Sequence, residues 1–129
     1  MWNLGEPFLN KDIYSIIQYA KRHNIHIMSS SNGYAIRTPG SVNRLLESGI
    51  DRLIIGVDGV DQKTFSLYRK GLVYAKVLKG LKLVQKQKKV FKIDKPIIEF
   101  QMILMKQNSH QLDKAYALAK KLETEFRLK

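Results

Sequence analysis

Residues 52–58 read Arg52-Leu53-Ile54-Ile55-Gly56-Val57-Asp58, an apolar and largely β-branched run without polar alternation. Such a run suits a parallel strand covered on both faces better than a half-exposed one, and Gly59 breaks it. A second run of this kind, Ile97–Met105 (IIEFQMILM), follows Pro96; its only polar residues, Glu99 and Gln101, share one face. Between the two runs, Asp61 is placed to cap a short helix through Leu67. A longer helix then carries Tyr74, Val77, Leu78, Leu81 and Val84 on one stripe, with Lys76, Lys79, Lys82 and Lys86 mainly off it.

Upstream, Val42, Leu45 and Leu46 predict a helix over Ser41–Ser48, ended by Gly49. Ile25–Met28 reads as a short strand, and Ser29–Gly33 as the loop after it. Ile13, Ile16, Ile17 and Ala20 predict an amphipathic helix from Lys11 to about His23, behind Asn10 as cap, and the tail of a further strand precedes Gly5. Downstream, Leu112, Ala115, Ala119 and Leu122 predict a last helix capped by Ser109 or Asn108. This order is α/β and suits right-handed βαβ units. Because a closed eight-stranded barrel takes ~250 residues, the expectation for 129 residues is a partial (βα) barrel of about four parallel strands, with helices on its outer face. It forms one unit without visible linkers or repeats.

The composition is that of a folded domain, at 44% hydrophobic and 26% charged residues. No cysteine is present, so the chain offers no disulfide, thiolate zinc site or cysteine-held iron–sulfur site. No apolar stretch approaches the ~20 residues of a membrane-spanning helix, and MWNLGEPFLN lacks the pattern of a leader peptide, so a cytoplasmic protein is expected. Residues 1–60 carry six basic and five acidic side chains, and residues 61–129 carry 17 and six, so the net +12 lies almost wholly in the second half. Lysines usually stay in water, and the plain reading of this excess is a solvated helix face. It could also attract a polyanion or an acidic partner.

In parallel α/β sheets ligands gather at the carboxyl ends of the strands. The segments there are Gly5-Glu6-Pro7, Ser31-Asn32-Gly33, Asp58-Gly59 and Lys106-Gln107-Asn108. Glycines admit a ligand to the backbone and a carboxylate holds an ammonium, so this edge suits a zwitterionic or nucleoside-like ligand; ordinary turns have the same composition. His23, His26 and His110 do not make a metal site: His23 closes a helix, His26 begins a strand, and no carboxylate pair completes a ligand set.

WNLGEPFLN, SSSNG, DRLIIGVDG, YRKG and IIEFQMILMKQNSHQ occur in this order over nearly the whole chain. The set resembles the radical S-adenosylmethionine enzymes, most closely the branch with a C-terminal cluster-binding region of the SPASM or twitch kind. Gly5, Glu6 and Pro7 match the family's GGEP-type motif, with Leu4 in place of its first glycine. The resemblance implies that Glu6 helps hold the methionyl amino group; a helix-start carboxylate is the structural alternative. Ser31, Asn32 and Gly33 resemble a TNG segment beside the cofactor, with Ser31 for threonine. Gly56-Val57-Asp58-Gly59 stands where an SLDG-type segment is expected, with Gly56 replacing the serine that would bond the cofactor. Asp58 either orients neighbouring groups or caps the loop after its strand. Arg69 is assigned to the cofactor's carboxylate, whose two oxygens match a guanidinium fork, and Lys70 competes for that role. Gln101–Met105 resembles the segment bordering the adenosine, with Met102 and Met105 as packing residues.

The family cleaves S-adenosylmethionine reductively at a 4Fe-4S cluster, giving a 5′-deoxyadenosyl radical. Its cluster is held by a CxxxCxxC loop that this chain lacks, so the resemblance implies no catalytic or metal-ligating residue here. The expectation is a fragment of the core domain over residues 1–129, inactive alone, without the cluster loop and the closing strands. Open sheet edges are then expected to self-associate. The substrate, peptide or small molecule, is not given by these residues. The alternative is a cluster-free basic half-barrel binding an anion; nucleic acid is disfavoured as its partner, since no aromatic platform accompanies the charge.

Overall fold

A computed structural model describes residues 5–129. The strand tail expected before Gly5, with Leu4, lies outside them. Four parallel strands form one sheet in sequential order: β1 (Met28–Ser31), β2 (Arg52–Gly56), β3 (Ile97–Met102) and β4 (Glu125–Leu128). Helix α1 (Ile13–Arg22) precedes β1, α2 (Pro39–Glu47) joins β1 to β2, α3 (Gln62–Tyr68) and α4 (Tyr74–Phe91) join β2 to β3, and α5 (Leu112–Lys121) joins β3 to β4. The α/β architecture with parallel strands is therefore as expected.

Two faces of the sheet follow from the two-residue strand period. Leu53, Ile55, Ile98, Phe100 and Met102 point to one face and form the core with Ile17, Leu45, Phe65, Val77 and Ala115 of the helices. The register places Ser30, Ile54 and Glu99 in one row on the opposite face, and Gly56, Gln101 and Arg127 in the next. That second face is polar. Its buried Glu99 accepts from Arg52 Nη1 at 2.8 Å and pairs with Arg127, while Arg52 also pairs with Glu125.

Several boundaries differ from expectation: β2 ends at Gly56 and not at Asp58, and α2 opens at Pro39 behind Thr38 and not at Ser41. β1 begins at Met28 and includes the serines read as loop, because its ladder to β2 pairs Met28 with Arg52 and Ser31 with Ile55. Ile25 instead closes α1, its N–H donating to Ala20 O at 3.1 Å. Asn10 does not cap α1; it turns the chain one step earlier by accepting from Asp12 N at 2.9 Å. β3 ends at Met102, and neither Asn108 nor Ser109 caps α5 directly, since a 3-10 turn at Ser109–Gln111 intervenes. β4 had no apolar run to announce it: among its residues only Phe126 packs against the core. Elsewhere the caps match the sequence: Asp61 accepts from Thr64 N at 2.8 Å, and Gly49 follows α2 at φ +76°.

At the amino edge of the sheet, Asp51 is buried and gathers three segments. It accepts from Ile27 N at 2.8 Å, Lys21 Nζ at 2.6 Å and Lys95 Nζ at 2.5 Å, and its carbonyl accepts from Ile97 N at 2.9 Å. Burial pushes the Asp51 carboxyl up, but the Ile27 amide and the two ammonium groups outweigh it and hold the group well below the usual carboxylate range. A depressed folded pKa contributes stability that is present above the unfolded value and lost as pH falls toward the folded one. Asp51→Asn should therefore lower unfolding stability by about 2–4 kcal/mol at neutral pH, leaving the lysines an uncharged partner. It should also flatten the stability loss that the parent shows below about pH 4; denaturant melts across pH check both, and an unchanged acid limb would refute the assignment.

Candidate functional site

At the carboxyl ends of the strands, Gly5, Glu6, Ser30, Ser31, Asn32, Gly56, Arg69 and Gln101 line one cavity of about 350 Å³. The sequence-derived set is thus largely brought together. Pro7, Gly33 and Asp58 do not line the cavity, and each has another task.

Glu6 precedes a 3-10 turn at Pro7–Leu9 and accepts from Phe8 N at 3.3 Å, so the helix-start reading holds. The same carboxylate also reaches across to β1. Its Oε1 accepts from Ser31 Oγ and its Oε2 from Asn32 N, both at 2.7 Å. Pro7 opens the turn, and Phe8 anchors it in the core. Ser31 Oγ in turn accepts from Gly33 N at 2.9 Å, and Asn32 Oδ1 accepts from Tyr34 N at 2.9 Å. Gly33 sits at φ +74°, where a Cβ would press on Val77 and Ile55 at 3.0–3.1 Å. It is a packing and turn residue beneath the site.

Asp58 lies two residues beyond Gly56 and is fully buried. Its Oδ2 accepts from Arg69 Nε at 2.7 Å and its Oδ1 from Ile103 N at 2.8 Å. The first of the two sequence readings is the one realised: Asp58 orients a neighbour, Arg69. Arg69 lines the cavity beside Gly56, and its Nη groups have no hydrogen-bond partner among the described residues. Lys70, the competitor, is not among the lining residues. Met102 is wholly buried, as a packing residue should be.

Two supporting residues have roles that the sequence did not announce, although Asn108 stands among the strand-end residues and the candidate caps. Asn108, fully buried, donates to Asp58 O at 3.1 Å and Ile103 O at 2.8 Å, and accepts from Met105 N at 2.8 Å. Gln111 accepts from Val60 N at 2.8 Å, donates to Thr64 Oγ1 at 3.0 Å and also bonds Asp61. Together they tie the loop after β3 to the loop after β2. Beyond the place of Asn108 at a strand end, their sequence signal is a pair of amides in a segment legible as a helix start.

Chemically the cavity offers a carboxylate with unused acceptor capacity and a guanidinium edge, the complement of an α-amino acid's ammonium and carboxylate. The volume lies within the range of small-ligand sites, about 300–1,000 Å³. The donor set therefore fits the amino-acid end of S-adenosylmethionine. It does not fit an iron–sulfur cluster: the 129 residues contain no cysteine, and no three His, Asp or Glu side chains converge among the described residues. The histidines stay apart; His23 closes α1 with Nδ1 2.9 Å from Tyr19 O, and His26 is 3.5 Å from Asp51.

Two other grooves, each about 420 Å³, lie along the second half of α4 and near the end of α5; Lys82, Lys86, Lys88, Lys89, Lys92 and Lys121 line them together with Glu123, which pairs with Lys89, and Asp94. They sit at the amino edge of the sheet, away from the cavity. No described helix is long and apolar enough to cross a membrane.

The sequence profile of the Radical SAM superfamily matches residues 2–119. The chain is 27% identical over 120 residues to an AdoMet-dependent heme synthase of Methanosarcina barkeri, covering 92% of this chain and 32% of that protein. It is 32% identical over 82 residues to a probable GTP 3′,8-cyclase of Pyrococcus horikoshii, covering 64% of this chain and 26% of the relative. An AdoMet-dependent heme synthase of Nitratidesulfovibrio vulgaris is 34% identical over 65 residues, which cover 50% of this chain and 17% of the relative. The chain thus spans about a third or less of the length of these relatives.

The Glu6 clasp predicts a local effect of its loss. Glu6→Ala should speed hydrogen exchange at the Asn32 and Gly33 amides by about tenfold, the equivalent of ~1.4 kcal/mol for one charge-assisted contact. Exchange at the β3 amides should not change; uniform acceleration along the chain would show a global effect instead.

Proposed function

Since the chain belongs to the radical SAM superfamily, we propose that it forms part of an enzyme that cleaves S-adenosylmethionine reductively and uses the resulting radical on a further substrate. Its 129 residues would supply one wall of the cofactor site, and polypeptide outside them would supply the cysteines of the 4Fe-4S cluster. No electron-transfer step is assigned to this chain, and alone it is expected to be inactive. The order of the five matching segments supports the SPASM or twitch branch.

The observation that carries the reading is the placement of Glu6 and Arg69 on one cavity. Bound S-adenosylmethionine would bring the sulfonium chemistry, and the chain's part is to bind and orient it. Glu6 accepts from the methionyl ammonium while Ser31 and Asn32 fix its two oxygens. Arg69 donates its Nη edge to the carboxylate, with its Nε committed to Asp58. Ser30, Gly56 and Gln101 border the remainder of the ligand, and the adjoining polar sheet face is the side on which a substrate would stand.

A second reading rests on the lysine-lined grooves, which could take an anionic partner independently of the cavity. Binding of an oligonucleotide that falls steeply with salt would support it.

Isothermal titration of the chain with S-adenosylmethionine tests the main reading. Glu6→Gln and Arg69→Gln should each weaken binding by about tenfold to a hundredfold, the range of a charge-assisted hydrogen bond. Parental affinity in both variants would refute it. Anaerobic reconstitution with iron and sulfide should leave the chain colourless; a stable brown cluster would overturn the placement of its ligands elsewhere.

A further inference from the structure

Gly56 is the last residue of β2, on the polar face of the sheet. A Cβ built there would stand 3.0 Å from Arg69 Cζ and closer still to Nη2. The guanidinium therefore occupies the volume that the smallest side chain would need. The requirement is one of space, since Gly56 is not among the positive-φ glycines. Two further contacts complete the seat: Asp58 Oδ2 accepts the Arg69 Nε–H at 2.7 Å, and the Tyr68 ring lies 5.2 Å from Cζ. Asp58 is itself held by Ile103 N at 2.8 Å, so the anchor is fixed from the neighbouring strand. Arg69 ends α3 and donates its own N–H to Phe65 O at 2.9 Å. Its backbone and its Nε are both committed, and only the Nη edge is left for a ligand.

We propose that Gly56 is a specificity-determining position: by presenting no side chain it seats the Arg69 guanidinium, and this makes the cavity selective for ligands that carry a carboxylate. The inference rests on the reading of the cavity as the S-adenosylmethionine site and adds the residue that sets its anion grip. Gly56 is a positioning residue, acting through Arg69.

The seat predicts that Gly56 and Arg69 act as one unit. Binding of S-adenosylmethionine and of 5′-methylthioadenosine, which lacks the amino-acid end, should be measured for the parent, Gly56→Ala, Arg69→Gln and the double variant. Gly56→Ala should weaken S-adenosylmethionine at least tenfold and leave 5′-methylthioadenosine within twofold. In the Arg69→Gln background it should cost less than a further twofold. The Arg69 Nε–H resonance, followed by NMR without ligand, should shift in Gly56→Ala while the core amide resonances stay in place. Parental affinity in Gly56→Ala, equal losses for both ligands, or additive losses in the double variant would overturn the proposal. If the parent binds neither ligand, the cofactor reading and the selectivity fall together, and the resonance decides the seat alone: an unmoved Nε–H refutes it and a shifted one upholds it. Should Gly56→Ala not fold, Arg69→Lys provides the second measure, because an ammonium cannot fill the fork and should lose affinity for S-adenosylmethionine only.

Discussion

The Asp58 carboxylate joins three of the pieces from which the cavity is built. One oxygen receives the backbone N–H of Ile103 beyond β3, and the other receives Nε of Arg69 at the end of α3. The residue itself extends β2. Because Asp58 is completely buried, neither bond competes with water, and loss of either partner would leave a charge without solvation. Asp51, at the other end of β2, makes an instructive contrast. It too is buried, but its partners are structural: an amide and two ammonium groups from segments at the amino edge converge on the carboxylate. Asp58 takes a single N–H of a guanidinium that has more to give. One buried carboxylate fastens the fold, and the other holds a cation by its Nε alone.

Legibility from sequence followed the physical range of each interaction. The β2 and β3 runs were plain because their β-branched and apolar residues follow one another almost unbroken, and the α4 stripe because its helical spacing is unbroken over Val77, Leu81 and Val84. β1 was displaced by three residues because its serines carry no strand preference; their place is fixed by pairing with β2, a contact some 24 positions away in the chain. β4 is held by charge as much as by apolar burial, through Glu125 to Arg52 and Arg127 to Glu99. No local pattern announces such pairing. The cavity was legible at the level of its strand-end segments, but not in its internal wiring. That Asp58 serves Arg69, and that Asn108 braces Asp58, are contacts across 11 and 50 positions.

Glu6 shows why a structural reading and a functional one need not compete. A carboxylate before a helical turn is ordinary, and its bond to Phe8 N at 3.3 Å is long. The shorter bonds, at 2.7 Å, come from Ser31 and Asn32. Capping therefore fixes where the side chain begins, while β1 fixes where its oxygens end. Three donors share an acceptor with about four lone-pair positions, which leaves room for one more donor from the cavity side. An ammonium suits that place because it adds charge as well as a hydrogen bond.

The net charge of +12 is a poor guide to this cavity, and the fold gives the reason. The lysines that dominate the second half lie along α4 and near the last turn of α5, with Lys88, Lys89, Lys120 and Lys121 at helix ends where carbonyl dipoles favour a cation. Those ends sit at the amino edge of the sheet. The cavity opens at the carboxyl edge, where Glu6 and Arg69 balance one another, and a screening length of about 8 Å at physiological salt separates the two regions electrostatically. A cavity with balanced charges at fixed positions discriminates by geometry: it rewards a ligand whose own charges are spaced as an amino acid's are, and gives little to a polyanion drawn by the distant lysines.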